Sequence, residues 1–113
     1  MIEMSRERFE DLVAEALDTV PPELARAMRN IVIVVEDESP EPGLLGLYQG
    51  IPLTERGDWY GGVLPDHISI YRHEILAICE TDADVVDEVR ITVVHEIAHH
   101  FGIDDDWLHK HGY

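Results

Sequence analysis

A short segment near the end of the chain, HEIAHHFGIDDDWLH at residues 95–109, contains four of the seven histidines. Within it His95 and His99 are four residues apart, so on an α-helix they lie about 40° apart on one face. Two imidazoles on one face can bind the same metal ion. Glu96 lies about 100° round from His95, where it can hold a water molecule beside the metal, and His100 points away from that side. The spacing predicts a metal site that does chemistry.

A catalytic zinc ion usually takes three protein ligands, so a third ligand must come from outside HEIAH. Gly102 lies almost back on the ligand face and allows a sharp left-handed turn. The turn would carry the following residues past the metal, which makes Asp105 the geometrically favoured third ligand. His109 and Asp106 remain alternatives, whereas Asp104 is better suited to cap the next helix.

The helix that carries the histidines is the best-specified element of the sequence. Thr81 can cap its start, Asp84 supplies the acidic residue of a capping box, and Gly102 after Phe101 can end it. Arg90 interrupts its apolar arc, either as a snorkelling side chain or as the partner of an ion pair. The other residues of that arc are predicted to pack: Val86, Val89, Val93, Val94, Ile97 and Phe101.

The preceding sequence predicts two helices and three strands. An amphipathic helix is expected at 5–19, behind a Ser N-cap, and a short helix within 21–30. IVIVVED at 31–37 contains five consecutive β-branched residues and predicts a strand covered on both faces. LLGLYQGIPL at 44–53 is interrupted by Gly and Pro, which favours an edge strand, and PDHISIYRH at 65–73 alternates as a third strand.

The remaining segments are less regular. TERGDWYGG at 54–62 predicts a glycine-rich loop with Trp59 and Tyr60 exposed, and such a loop can cover a neighbouring site. EILAIC at 74–79 is compatible with a short helix or a strand. DDWLHKHG at 105–112 predicts a last short helix.

Length and charge limit the classes of function. A chain of 113 residues predicts one domain, spanning 1–113, and its net charge of −16 opposes binding to nucleic acid or to anionic membranes. Its longest apolar run is five residues, far below the roughly 20 that a membrane span needs. A start without a secretory signal and a single cysteine, Cys79, predict a cytoplasmic protein.

HEIAHHFGIDD matches the pattern HExxHxxGxxD. Together with LLGLYQGIPL, LPDHISIYR and VRITVVHEIAHHFG, it resembles the small bacterial zincin-like metallopeptidases, over about residues 31–107. The resemblance implies an α+β fold, in which a small mixed sheet packs against N-terminal helices and the HExxH helix. It also implies hydrolysis of peptide or protein substrates with one Zn²⁺. His95, His99 and Asp105 would be the zinc ligands and Glu96 the general base.

Other features of such an enzyme are less defined by the sequence. No methionine follows the motif, so the Met-turn of the larger metzincin clan is absent. The residue that would stabilise a tetrahedral oxyanion remains open among Tyr48, Tyr60, Tyr71, His67 and Tyr113. The edge strand at LLGLYQG is expected to align an extended substrate, and the acidic composition favours basic peptides.

Two alternative functions use the same ligands. Zinc could tie the short C-terminal helix to the core of a binding module that has no turnover. A metal-dependent hydrolase of another substrate such as RNA is the second alternative, although the negative charge opposes it.

Overall fold

The computed structural model describes residues 1–50 and 66–113, with all of their side chains except those of Ala27 and Asp105. In these ranges the chain forms five α-helices, one 3₁₀ turn and three strands. Their bounds are α1 Arg6–Leu17, α2 Pro22–Ala27, the 3₁₀ turn Met28–Asn30, β1 Ile31–Glu36, β2 Gly46–Gln49, β3 Asp66–Tyr71, α3 Arg72–Ala77, α4 Asp82–Phe101 and α5 Asp105–Lys110. The fold is α+β, as predicted. The segment TERGDWYGG, with Trp59 and Tyr60, lies outside the described residues.

The three strands form one mixed sheet in the order β1-β3-β2. The central strand β3 pairs in parallel with β1, with Ile33 opposite Ile68, and antiparallel with β2, with Tyr48 opposite Ile68. Among the described strands β2 therefore lies at an edge, as the interrupted sequence of this segment predicted.

The strand that is covered on both faces is β3, not β1. Ile68, Ser69, Ile70 and Tyr71 of β3 are all buried. In β1 half-buried and exposed positions alternate, and the side chains of Val32 and Val34 are 47% and 36% exposed. The prediction of a doubly covered first strand was wrong, because a run of β-branched residues reports strand propensity without reporting what covers each face.

Helix α4 begins and ends as predicted. The Thr81 hydroxyl accepts a hydrogen bond from the Asp84 amide, and the Asp84 carboxylate accepts one from the Thr81 amide, which completes the capping box. After Phe101 the chain turns at Gly102, whose φ of 68° is left-handed. This helix packs against α1 and against β2.

Two residues on the apolar arc of α4 differ from the rest. Val89, Val93, Val94 and Ile97 are fully buried, but Phe101 is 50% exposed, so its assignment to the packed arc was wrong. Phe101 is the last residue of the helix. Nη2 of Arg90 lies 3.6 Å from Oδ1 of Asp87, which agrees with an ion-pair role. Its guanidinium carbon lies 5.5 Å from the centre of the Tyr113 ring.

The segment EILAIC, whose periodicity was compatible with either a short helix or a strand, is mostly helical. Its first four residues form the second part of α3. Ile75, Leu76 and Cys79 are buried in the core, where burial of the Cys79 thiol raises its pKa to about 11.

Over residues 1–50 and 66–113, no helix combines the length and apolarity that crossing a membrane requires.

Candidate metal centre

The two histidines of HEIAH lie side by side near the end of α4. Their ring centroids are 6.3 Å apart and the rings meet edge to face at 82°. The His95 ring is half-buried and the His99 side chain is 69% exposed. Spacing of four residues thus brings both imidazoles to one accessible face of the helix, as the sequence predicted.

Glu96 lies between this pair and the edge of the sheet. Its Oε1 accepts a hydrogen bond of 2.9 Å from the backbone amide of Tyr48, and its Oε2 lies 4.0 Å from Nδ1 of His99. The side chain is 21% exposed. One carboxylate oxygen is therefore held by β2, while the other faces the histidines.

The contact between Glu96 and Tyr48 requires β2 to approach α4 closely, and Gly46 makes that approach possible. A Cβ atom at Gly46 would lie 2.6 Å from Cγ2 of Thr92 and 2.9 Å from the carbonyl oxygen of Ser69. Both distances are too short for a real methyl group. Sequence reasoning treated Gly46 only as part of a strand, since no local pattern shows which helix lies against it.

The side chain of Tyr48 joins the same two elements. Its ring stacks on that of His100, with centroids 3.9 Å apart and planes 15° apart, and its hydroxyl donates to Oδ2 of Asp66 at 2.6 Å. His100 is exposed. It contributes to the site indirectly, by holding the strand that contacts Glu96.

The turn after α4 has the predicted form. The amide of Ile103 donates to the carbonyl of Ala98 at 2.9 Å beyond the left-handed Gly102, and the Asp104 carboxylate caps α5 by accepting from the Trp107 amide at 2.9 Å. Asp105 is the first residue of α5, and its side chain lies outside the described part of the structure.

Among the described side chains, the two imidazoles of the candidate centre are of the type that zinc binds. Imidazole nitrogens are common zinc ligands, and His95 and His99 offer two of them on one face. Among the described histidine, cysteine, aspartate and glutamate side chains no group of three could hold a metal ion. The alternatives Asp106 and His109 are both exposed, and the third ligand stays a prediction.

The candidates for an oxyanion donor occupy different surroundings. The phenol of Tyr71 is buried, and burial is the main cause of its raised pKa. His67 is hydrogen-bonded to Gln49 at 2.6 Å, Tyr113 lies beside Arg90, and Tyr60 is outside the described residues. The phenol of Tyr48 donates to Asp66, and it is the backbone amide of this residue that contacts Glu96.

An open groove of about 280 Å³ lies beside His95 and Glu96. Its walls include Leu45 and Gly46 from the sheet edge, and Glu88 from α4. The groove is shallow, so a ligand would lie along the strand and not within an enclosed pocket.

The chain belongs to the zincin-like metallopeptidase family, whose profile matches residues 28–113. This family implies a metal, typically zinc, and peptide or protein substrates. A conserved hypothetical protein from Thermus thermophilus has a similar solved structure, with 29% identical residues and a TM-score of 0.58. That match covers 87% of this chain and 94% of the other. Comparison with curated proteins gives no match.

Proposed function

We propose that the protein is a zinc-dependent metallopeptidase that hydrolyses peptide bonds, with Glu96 as the general base. His95, His99 and Asp105 would hold one zinc ion. When bound, zinc supplies a Lewis acid that polarises the scissile carbonyl and lowers the pKa of water. The observation that carries the proposal is the Glu96 carboxylate, which is fixed by the sheet edge on one side and faces the histidine pair on the other.

Glu96 would carry out the proton transfers of hydrolysis. Oε2 of Glu96 would take a proton from the attacking water, and Glu96 would then deliver that proton to the amine nitrogen as the peptide bond breaks. The anchored Oε1 keeps the carboxylate oriented during both transfers, because its hydrogen bond to Tyr48 is to a backbone amide.

Strand β2 would hold the substrate in place. Leu45 accepts a hydrogen bond from the Tyr71 amide at 2.9 Å, so its carbonyl faces β3. Alternation along an antiparallel pair directs the backbone groups of Gly46 the other way, toward the groove that it lines, while the amide of Tyr48 is bonded to Glu96. An extended peptide can align with such an edge by main-chain hydrogen bonding.

The decisive experiment measures zinc content and peptide cleavage on the same samples. The wild type and Glu96→Gln should bind one zinc ion each, and only the wild type should cleave a peptide library. His95→Ala should lose both zinc and cleavage. His111→Ala, which removes an exposed imidazole that packs on Trp107, is the matched control and should keep both.

Two results would contradict the proposal. Cleavage by Glu96→Gln at the wild-type rate would exclude Glu96 as the base. Full zinc binding without cleavage of any peptide by the wild type would indicate a zinc module that has no turnover.

The identity of the third ligand is tested by zinc affinity. Asp105→Ala should bind zinc about a hundredfold more weakly than the wild type does. Asp106→Ala and His109→Ala should weaken zinc binding less.

A further inference from the structure

The groove beside the histidines contains a carboxylate to which the proposed reaction assigns no role. Glu88 lines the same groove as His95 and Glu96. It precedes His95 by seven residues, so on the helix the two side chains are only about 20° apart in direction and about 10 Å apart along the axis. Glu88 therefore lies on the histidine face of α4, two turns before the candidate metal centre.

The surroundings of Glu88 leave its charge available to a ligand. The residue is half-buried, and within the described ranges its carboxylate makes no hydrogen bond or ion pair. The groove wall between Glu88 and His95 is formed by Ile91, Thr92 and Gly46, none of which carries a charge. A partly desolvated carboxylate without a cationic partner attracts a cation more strongly than a fully hydrated one does.

The distance from Glu88 to the histidines corresponds to a short length of peptide. An extended chain advances about 3.3 Å per residue, so 10 Å equals about three residues. A peptide lying along the edge of β2, with its cleaved bond beside Glu96, would place a group about three residues away next to Glu88.

We infer that Glu88 is a specificity-determining residue that binds a cationic group of the substrate, about three residues from the cleaved bond. The group is either a lysine or arginine side chain or the α-ammonium of the peptide. This inference rests on the proposed peptidase function for its meaning, but the binding of the cation can be measured without cleavage.

Binding is tested with the full chain carrying Glu96→Gln, loaded with zinc, so that peptides bind without being cut. Fluorescent peptides of neutral sequence carry one lysine at successive positions, and each is made with a free and an acetylated N-terminus. We expect one lysine position, or the free N-terminus, to bind about fivefold more tightly than the neutral peptide. Adding Glu88→Gln should abolish this preference, and Glu88→Lys should transfer it to peptides that carry glutamate.

The matched control is Glu15→Gln, which removes the same charge from an exposed position on α1. It should keep the full preference for lysine. In the cleaving enzyme, Glu88→Gln should lower the ratio of kcat/KM for the preferred lysine peptide to kcat/KM for the neutral peptide about fivefold. Circular dichroism of both Glu88 variants checks that they are folded.

The outcomes separate this inference from the proposed function. Equal loss of lysine preference in Glu88→Gln and Glu15→Gln would assign selectivity to the total charge and overturn the role of Glu88, while cleavage by the wild type would still support the peptidase. A lysine preference that depends on Glu88, in a protein that cleaves no peptide, would support the cation site and refute the peptidase. Absence of any preference among the peptides would overturn the inference directly.

Discussion

The two oxygens of the Glu96 carboxylate have different surroundings, and this difference determines what the residue can do. Oε1 is bonded to the Tyr48 amide, whereas Oε2 is directed toward His99. A carboxylate with one oxygen fixed to the backbone loses little further freedom when the other oxygen receives a proton. The amide of Tyr48 is thus a positioning group for the proposed base.

Replacing Tyr48 tests this positioning, because proline removes the amide hydrogen while alanine retains it. The amide faces away from β3, so Tyr48→Pro removes no hydrogen bond between strands. Both variants lose the stack on His100 and the bond to Asp66. We expect kcat of Tyr48→Pro to be about tenfold to a hundredfold below that of Tyr48→Ala, with the same zinc content. Equal kcat values for the two variants would show that the amide does not position the base.

At the scale of residues, the sequence predicted the features that local spacing determines. His95 and His99 share a face, Gly102 ends the helix, and Asp104 caps the next one, because each of these depends on fewer than eight consecutive residues. The bond from Tyr48 to Glu96 joins positions 48 residues apart. No helical or strand periodicity contains that pairing, so it could not be predicted.

The elements around the site depend on the close contact between α4 and β2. Gly46 allows this contact, and Thr92 is the helix residue that meets it. Since Tyr48 follows two residues later on the same strand, any displacement of β2 at Gly46 also moves the amide that holds Glu96.

Gly46→Ala should therefore reduce both stability and activity. The added methyl group would overlap Cγ2 of Thr92 and the backbone oxygen of Ser69, and overpacking of this kind costs about 1–3 kcal/mol of unfolding free energy. Urea denaturation and kcat measure the two losses. The second variant Thr92→Ser removes Cγ2 alone, so Gly46→Ala combined with Thr92→Ser should recover part of each loss. Strictly additive effects in this double-mutant cycle would contradict a direct contact.

The start of α4 carries a separate element of stability, which depends on pH. The pKa of Asp84 is lowered, first by the hydrogen bond from the Glu80 amide and then by that from Thr81. A carboxyl whose pKa is lowered on folding stabilises the fold above its unfolded pKa, and this contribution is lost as pH falls through the folded pKa.

Asp84→Asn should accordingly destabilise the protein at pH 7 and make little difference near pH 2. Urea denaturation of the variant and the wild type at both pH values measures the change. Glu88→Gln is a useful control, since it lies on the same helix outside the capping box. A destabilisation of Asp84→Asn that is the same at both pH values would contradict the assignment to the ionised carboxylate.

The strands themselves were predictable from the sequence, but their order in the sheet was not. Each strand sequence indicates its own propensity and alternation, but burial depends on the position of the strand in the sheet. Among the described strands, IVIVVE lies at an edge and its outward valines are exposed, whereas the more polar DHISIY occupies the centre and is buried on both faces. Strand order is set by pairings between distant segments, which the sequence of a single strand does not contain.

For the whole molecule, a net charge of −16 raises the local concentration of every divalent cation near the surface. Specific zinc binding must therefore be distinguished from this general attraction. The proposed centre would join the end of α4 to α5, a helix of six residues that is anchored in the core by the buried side chain of Leu108. A helix that short is not stable alone, so a metal that ties it to α4 should stabilise the fold as a unit.

Zinc should consequently raise the thermal unfolding midpoint of the wild type. A ligand that binds only the folded state at a hundred times its Kd stabilises it by about 2.7 kcal/mol. The increase should disappear in His95→Ala and in His99→Ala and persist in His111→Ala, because only the first two variants remove proposed ligands. Calcium at the same concentration measures the contribution of the general negative charge, which should be small in all four proteins. If calcium and zinc raised the midpoint equally, or if zinc stabilised His95→Ala as much as the wild type, the cations would be binding to the acidic surface and not to the histidine pair.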